Sequence, residues 1–172
     1  MTIAQLAFLS VFPVLVIAAA VTDMASYTIP NRLNLALAAV YPAAALMLGR
    51  PPAEVGVGLA IGFCAIIVAI GLFAAGWIGG GDAKLFAAVA LWLGWPALAA
   101  FVLTTALAGG ALALLLLNVR SAWLKPYLAG APAWLGRLTT TGEAVPYGVA
   151  IAIGGLVAFP SSPLVRSLHP SF

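Results

Sequence analysis

Charge is nearly absent from this chain. Only 6% of its 172 residues are charged, and four of them are acidic. Cysteine and histidine occur once each. A single cysteine, Cys64, in the middle of an apolar run excludes a disulfide framework and a cysteine zinc site. A single histidine, His169, argues against a histidine metal centre and against Ser-His chemistry. No metal and no cofactor is expected. The stretch from Met1 to Gln5 has neither Lys nor Arg, so no cleaved secretory signal is expected, although Ala18-Ala19-Ala20 imitates a cleavage site. The seven basic residues are scattered and form no stripe, so a net charge of +3 and a pI of 9.4 do not point to nucleic acid. There is no soluble linker and no low-complexity tract.

Apolar side chains fill the space that charge leaves. The chain is 65% hydrophobic with a mean hydropathy of +1.18, which no soluble globular domain of this size tolerates. The expected fold is all-α: a polytopic membrane helical bundle of about six transmembrane helices. Residues 1–172 form a single integral-membrane domain in this reading, with the lipid bilayer as solvent and no soluble domain.

The first span runs from about Ile3 to Val21 and ends at a polar turn, Thr22 to Arg32. Pro30 disfavours helix at Ile29 and breaks the chain there. The second span covers about Leu33 to Leu48 and the third about Glu54 to Ala75. The third carries Gly58-x-x-x-Gly62, a small-residue face that allows close helix approach. Residues 83–119 would make a helix about 55 Å long, too long for one crossing. Gly94-Trp95-Pro96 is the natural turn, leaving a short fourth span from Ala83 to Leu93 and a long fifth from Ala97 to Asn118. Arg120 to Glu143, with Trp123, Lys125, Tyr127, Trp134 and Arg137, suits a segment lying at the interface. The sixth span is about Val145 to Phe159, and Pro160 to Phe172 reads as an irregular tail.

Six spans put both termini on one side. The connections after spans one, three and five carry Arg32, Lys84, Arg120, Lys125 and Arg137, against Arg50 and Arg166 opposite. That bias makes the first set cytoplasmic.

The only two aspartates, Asp23 and Asp82, stand at span ends on this same side, and Asp82 closes Gly79-Gly80-Gly81-Asp82. A carboxylate at the bilayer centre costs about 2.5–3.5 kcal/mol, so ionisable residues near the membrane are candidates for function. Two carboxylates close together cannot both ionise easily, and such a pair can activate water against a peptide carbonyl and protonate the leaving amine. Other readings stand beside this one. Asp82 can be a helix N-cap after a glycine loop, and Asp23 a boundary residue reaching water. Glu143 is a weaker second carboxylate. Arg32 and Lys84 can simply set topology, and Cys64 can simply pack. The glycines can be an ordinary turn, or can supply positive φ or room for an extended substrate backbone.

In this order, Asp23 with Ile29-Pro30-Asn31, then Gly79-Gly80-Gly81-Asp82-Ala83-Lys84-Leu85, then Pro146-Tyr147-Gly148 opening the last span, the chain resembles the type IV prepilin peptidases, membrane aspartyl proteases. It looks most like their short TadV/CpaA-like branch, which serves Flp (Tad) pili. The resemblance covers nearly the whole chain. It implies Asp23 and Asp82 as the catalytic pair, with Gly79, Gly81, Lys84, Pro30, Asn31, Pro146 and Gly148 supporting them. It implies a prepilin or pilin-like substrate whose short leader is cut after a glycine on the cytoplasmic side of the inner membrane, freeing an apolar pilin N-terminus for assembly. Larger members carry paired cysteines in the loop between the first two spans and also N-methylate the new terminus. Here that loop has no cysteine, so methylation is not expected. Signal peptide peptidase and presenilin share Gly-x-Gly-Asp but place the partner aspartate in Tyr-Asp, whereas Asp23 follows Thr22. A small proton-coupled transporter should hold its carboxylates near mid-bilayer in broken helices. A non-catalytic assembly subunit would tolerate loss of either aspartate. The sequence leaves the oligomeric state open.

Overall fold

The computed structural model describes residues 2–120 and 145–168. These form α1 (Ile3–Ser26), α2 (Asn31–Met47), α3 (Pro52–Ala74), α4 (Gly80–Val119), α5 (Tyr147–Ala158), a 3-10 turn (Phe159–Ser161) and the short α6 (Pro163–Arg166). There is no strand among the described residues, and the protein is an all-α membrane helical bundle. The interfacial segment expected up to Glu143 lies outside the described residues beyond Arg120, as do Glu143 itself and His169.

Four helical stretches are long and apolar enough to cross a membrane: Ile3–Ser26, Pro52–Ala74, Ala97–Val119 and Tyr147–Arg166. The other two expected crossings are short. α2 has 17 residues, about 25 Å of helix. The first arm of α4, residues 80–93, spans about 21 Å on the same rise. The expected turn between the fourth and fifth spans is present as a kink: Gly94 adopts φ 59° and ψ −174°, and Trp95 is extended. A β-carbon on Gly94 would also lie 3.4 Å from Pro163, so both φ and space favour glycine there. The tail expected to be irregular is partly ordered. Phe159–Ser161 and α6 continue from α5, with buried Ser162 capping α6 through Val165.

The two arms of α4 form the centre of the bundle, packed most extensively by α5 and α3. The buried Trp92 on the first arm donates its indole N–H to the Leu37 carbonyl of α2 at 2.8 Å. Phe12 and Tyr41 meet its ring at centroid distances of 5.5 and 5.8 Å. Here hydrocarbon replaces water outside, so packing and interhelical hydrogen bonds hold the helices together. The small residues of α3 take part as expected. A side chain on Gly58 would strike Tyr41 of α2, and one on Gly62 would press on Leu91 of α4. Cys64 points outward.

Candidate active site

Four helix ends converge at one end of the bundle. α1 ends there, and α2, α4 and α5 begin there. The last turn of α1 buries Asp23, and its end is fixed by Tyr27, which takes a left-handed conformation (φ 51°) and donates its N–H to the Asp23 carbonyl at 2.7 Å. That conformation costs a non-glycine residue about 1 kcal/mol. It turns the chain sharply, so that Ile29-Pro30 runs extended across the helix ends. Pro30, at φ −60° and ψ 132°, then caps the start of α2.

Asp82 is not the N-cap of its helix. Gly79 takes that position, and Asp82 lies in the first turn, half-buried. A carboxylate in the first turn still faces the positive end of the helix dipole, so either position suits aspartate. Asp82 Oδ2 lies close to Gly79, and its Oδ1 is buried without a hydrogen-bond partner among the described residues.

The two aspartates line one half-open cavity of about 330 Å³, together with residues 27–31 and glycines 79–81. They are near enough for the charge of Asp23 to act on Asp82, and the Gly148 amide bears on both. Gly148 N–H donates to Asp23 Oδ2 at 2.8 Å. The Pro146-Tyr147-Gly148 element therefore closes the site, with buried Pro146 capping α5. Of the other expected residues, Lys84 and Asn31 meet each other: Lys84 Nζ donates to Asn31 Oδ1 at 2.9 Å. This bond ties the Ile-Pro-Asn element to the Gly-Asp-Ala-Lys element.

Of the roles open to glycines 79–81, positive φ is not used. Positive φ among glycines is confined to Gly49, Gly76 and Gly94 in the described chain, and Gly79 has φ −71°. Their value is proximity. A β-carbon on Gly79 would stand 2.8 Å from Asp82 Oδ2, and one on Gly81 would stand 3.3 Å from Ile29 Cβ. One on Gly80 would only touch the Phe73 ring at 3.4 Å. We therefore expect Gly79→Val and Gly81→Val to slow turnover at least about tenfold at matched membrane levels, by displacing Asp82 or the extended Ile29 segment. Gly80→Ala should stay within about twofold on the same scale. Valine variants as fast as the parent would make the loop an ordinary turn.

Two residues of the site were not singled out in the sequence. One is Tyr27. The other is Asn34, buried on α2, whose Nδ2 donates to the Gly81 carbonyl at 3.4 Å. The signal for Asn34 was available: an amide one turn after Asn31, on the same face of an otherwise apolar helix. No group of three or more metal-ligating side chains occurs among the described residues.

A multi-pass helical membrane protein with paired aspartates gathered by four helix ends has the form of a membrane protease. Residues 10–114 match the type IV leader peptidase family, and because that match spans more than half of the sequence, the chain belongs to this family. It is thus a type IV leader peptidase-like protease. No curated protein and no solved structure matches it.

Proposed function

We propose that this protein is an aspartic endopeptidase that removes the short leader of prepilins, of Flp (Tad) type as in the TadV/CpaA-like branch, at the cytoplasmic face of the inner membrane. The whole chain is one membrane peptidase domain in this reading. The observation that carries it is the shared cavity of Asp23 and Asp82, with the Gly148 amide donating to Asp23. One carboxylate takes a proton from water, and the resulting hydroxide attacks the scissile carbonyl. The other, protonated, polarises that carbonyl and then gives its proton to the departing amine. The pair titrates as a unit, so neither role belongs permanently to one residue. Gly79, Gly81, Pro30 and Ile29 line the cavity beside the carboxylates, where an extended substrate backbone would lie. The Asn31–Lys84 bond ties α2 to α4, and the Gly148–Asp23 bond ties α5, capped by Pro146, to α1.

The cytoplasmic assignment rests on the basic bias. Arg32 and Lys84 stand at the aspartate end, and Arg50 at the far end pairs with Glu54. The two short helices both begin at the cavity, so about 21–25 Å of helix against about 30 Å of hydrocarbon sets the aspartates slightly inside the layer. Co-expression with a short-leader prepilin, read by gel shift and by the N-terminal sequence of the product, tests the activity. The expected product begins immediately after a leader glycine and is not methylated. Reporter fusions at Arg50 and at the C-terminus should report the periplasm, and a fusion at Arg137 the cytoplasm. A cytoplasmic C-terminus would mean an odd number of spans or a reversed orientation.

A further inference from the structure

Beside the catalytic cavity lies a larger groove of about 710 Å³, open on one flank of the bundle. Its walls come from three helices with one spacing. α2 contributes Asn31, Asn34, Leu35 and Ala38. α3 contributes Leu59, Gly62, Phe63 and Ile66. The first arm of α4 contributes Lys84, Ala87, Ala88 and Leu91. Each set follows i, i+3, i+4, i+7, a single helical face about 10 Å long. α2 and α3 touch each other little, and both lean on α4, so the three faces bound a slot two turns long. Its most buried lining residues are Asn34, Ala87, Ala88 and Leu91, and the two alanines let an incoming backbone approach closely.

The slot is apolar along its length and polar at one end, where Asn31, Arg32, Asn34 and Lys84 gather. Asn31 lines both this groove and the aspartate cavity, so the two are adjacent. Neither Arg32 nor Lys84 forms an ion pair among the described residues, where the ion pair found is Arg50 with Glu54.

We propose that this groove is the docking site for the apolar helix of the protein substrate, entered laterally from the bilayer, with the scissile bond held over the aspartates where the helix begins. The inference rests on the leader-peptidase reading and adds where the uncleaved part of the substrate binds. Three helical faces with alanines among their buried residues match a fourth helix in shape. Asn31, shared with the aspartate cavity, sets the start of that helix beside the catalytic pair. Binding energy gathered along the groove then aligns the scissile carbonyl, as remote contacts do in other enzymes.

Two measurements test this. In the first, a photo-reactive phenylalanine analogue replaces Leu35 or Phe63 in the Asp23→Asn chain, co-expressed with the short-leader prepilin. Leu103, equally exposed but on the far arm of α4, is the control position. The groove positions should label the prepilin and the control should not. Labelling of lipid alone, of a second copy of this chain alone, or equal labelling from Leu103 would overturn the proposal. In the second, Leu35→Trp narrows the groove in the active chain. It should raise KM for the full prepilin about tenfold with kcat nearly unchanged, and leave cleavage of a short peptide lacking the apolar helix as it was. Equal loss on both substrates, or loss on neither, would overturn it. A parent chain that cleaves no prepilin would remove the leader-peptidase reading and this inference together. A parent that cleaves while the groove probes label only lipid would remove this inference alone.

Discussion

Asp23→Asn and Asp82→Asn should each reduce leader cleavage by at least about 10³-fold while the protein remains in the membrane, because catalytic groups acting as a unit fail together. Asparagine keeps the size of the side chain and an oxygen able to accept the Gly148 N–H, so the bond at position 23 survives the change. What is lost is the capacity to hold or release a proton. With one carboxyl left, the site can take a proton from water or give one to the leaving amine, but it has no partner to perform the complementary transfer in the same turnover. The measurement is the ratio of precursor to product for a co-expressed short-leader prepilin, at matched membrane levels of each variant. Glu143→Gln is the control and should cleave as the parent does. Full cleavage by either asparagine variant would sink the assignment of the pair and favour a non-catalytic subunit, which tolerates loss of either aspartate.

How much of this was legible in the sequence depends on how local each cause is. The break at Ile29-Pro30 and the kink at Gly94-Trp95 are written in single residues that cannot continue a helix, and both occur where those residues stand. The lengths of the short helices followed from the same punctuation. The gathering of Asp23, Asp82 and Gly148 was legible only as a resemblance, because residues 125 positions apart meet through packing that no local pattern encodes. The N-cap of α4 was misplaced by three residues. Aspartate is favoured both at the cap and in the first turn, so its identity does not discriminate between them, and a run of three glycines leaves the start of the helix open. Positive φ, one role open to those glycines, goes unused for a related reason. Glycine permits positive φ, but it also permits contact, and only the neighbours decide which is used. Tyr27 was invisible because a left-handed aromatic residue contradicts its own propensity, and the surrounding turn overrides it.

Gly148→Val should remove most activity, and Gly148→Ala should lower it by about 10²-fold, the loss associated with a displacement of about 1 Å at a reacting group. A β-carbon at this position would stand 2.8 Å from Asp23 Oδ2, 3.0 Å from Asp23 Cβ and 2.9 Å from Ile29 Cδ1. All three neighbours belong to the site. Asp23 cannot retreat without breaking the 2.8 Å bond from the Gly148 amide, and Ile29 is backed by Gly81, where the approach is already close. The added carbon therefore pushes either the carboxylate away from its partner or α5 away from α1. The first costs turnover and the second costs packing, and the two are separable. Protease resistance of the membrane-embedded protein reports packing, and the rate of prepilin cleavage reports the carboxylate. Gly148→Ala should keep the resistance of the parent and lose the rate, whereas Gly155→Ala is the control for packing alone. A β-carbon on Gly155 would stand 3.0 Å from Val89 and 3.5 Å from Phe12 and would touch neither aspartate. It should therefore weaken resistance more than turnover. If Gly148→Ala instead cleaves at the parental rate with its fold intact, the amide at position 148 does not position Asp23. The Pro-Tyr-Gly element would then serve only to start α5.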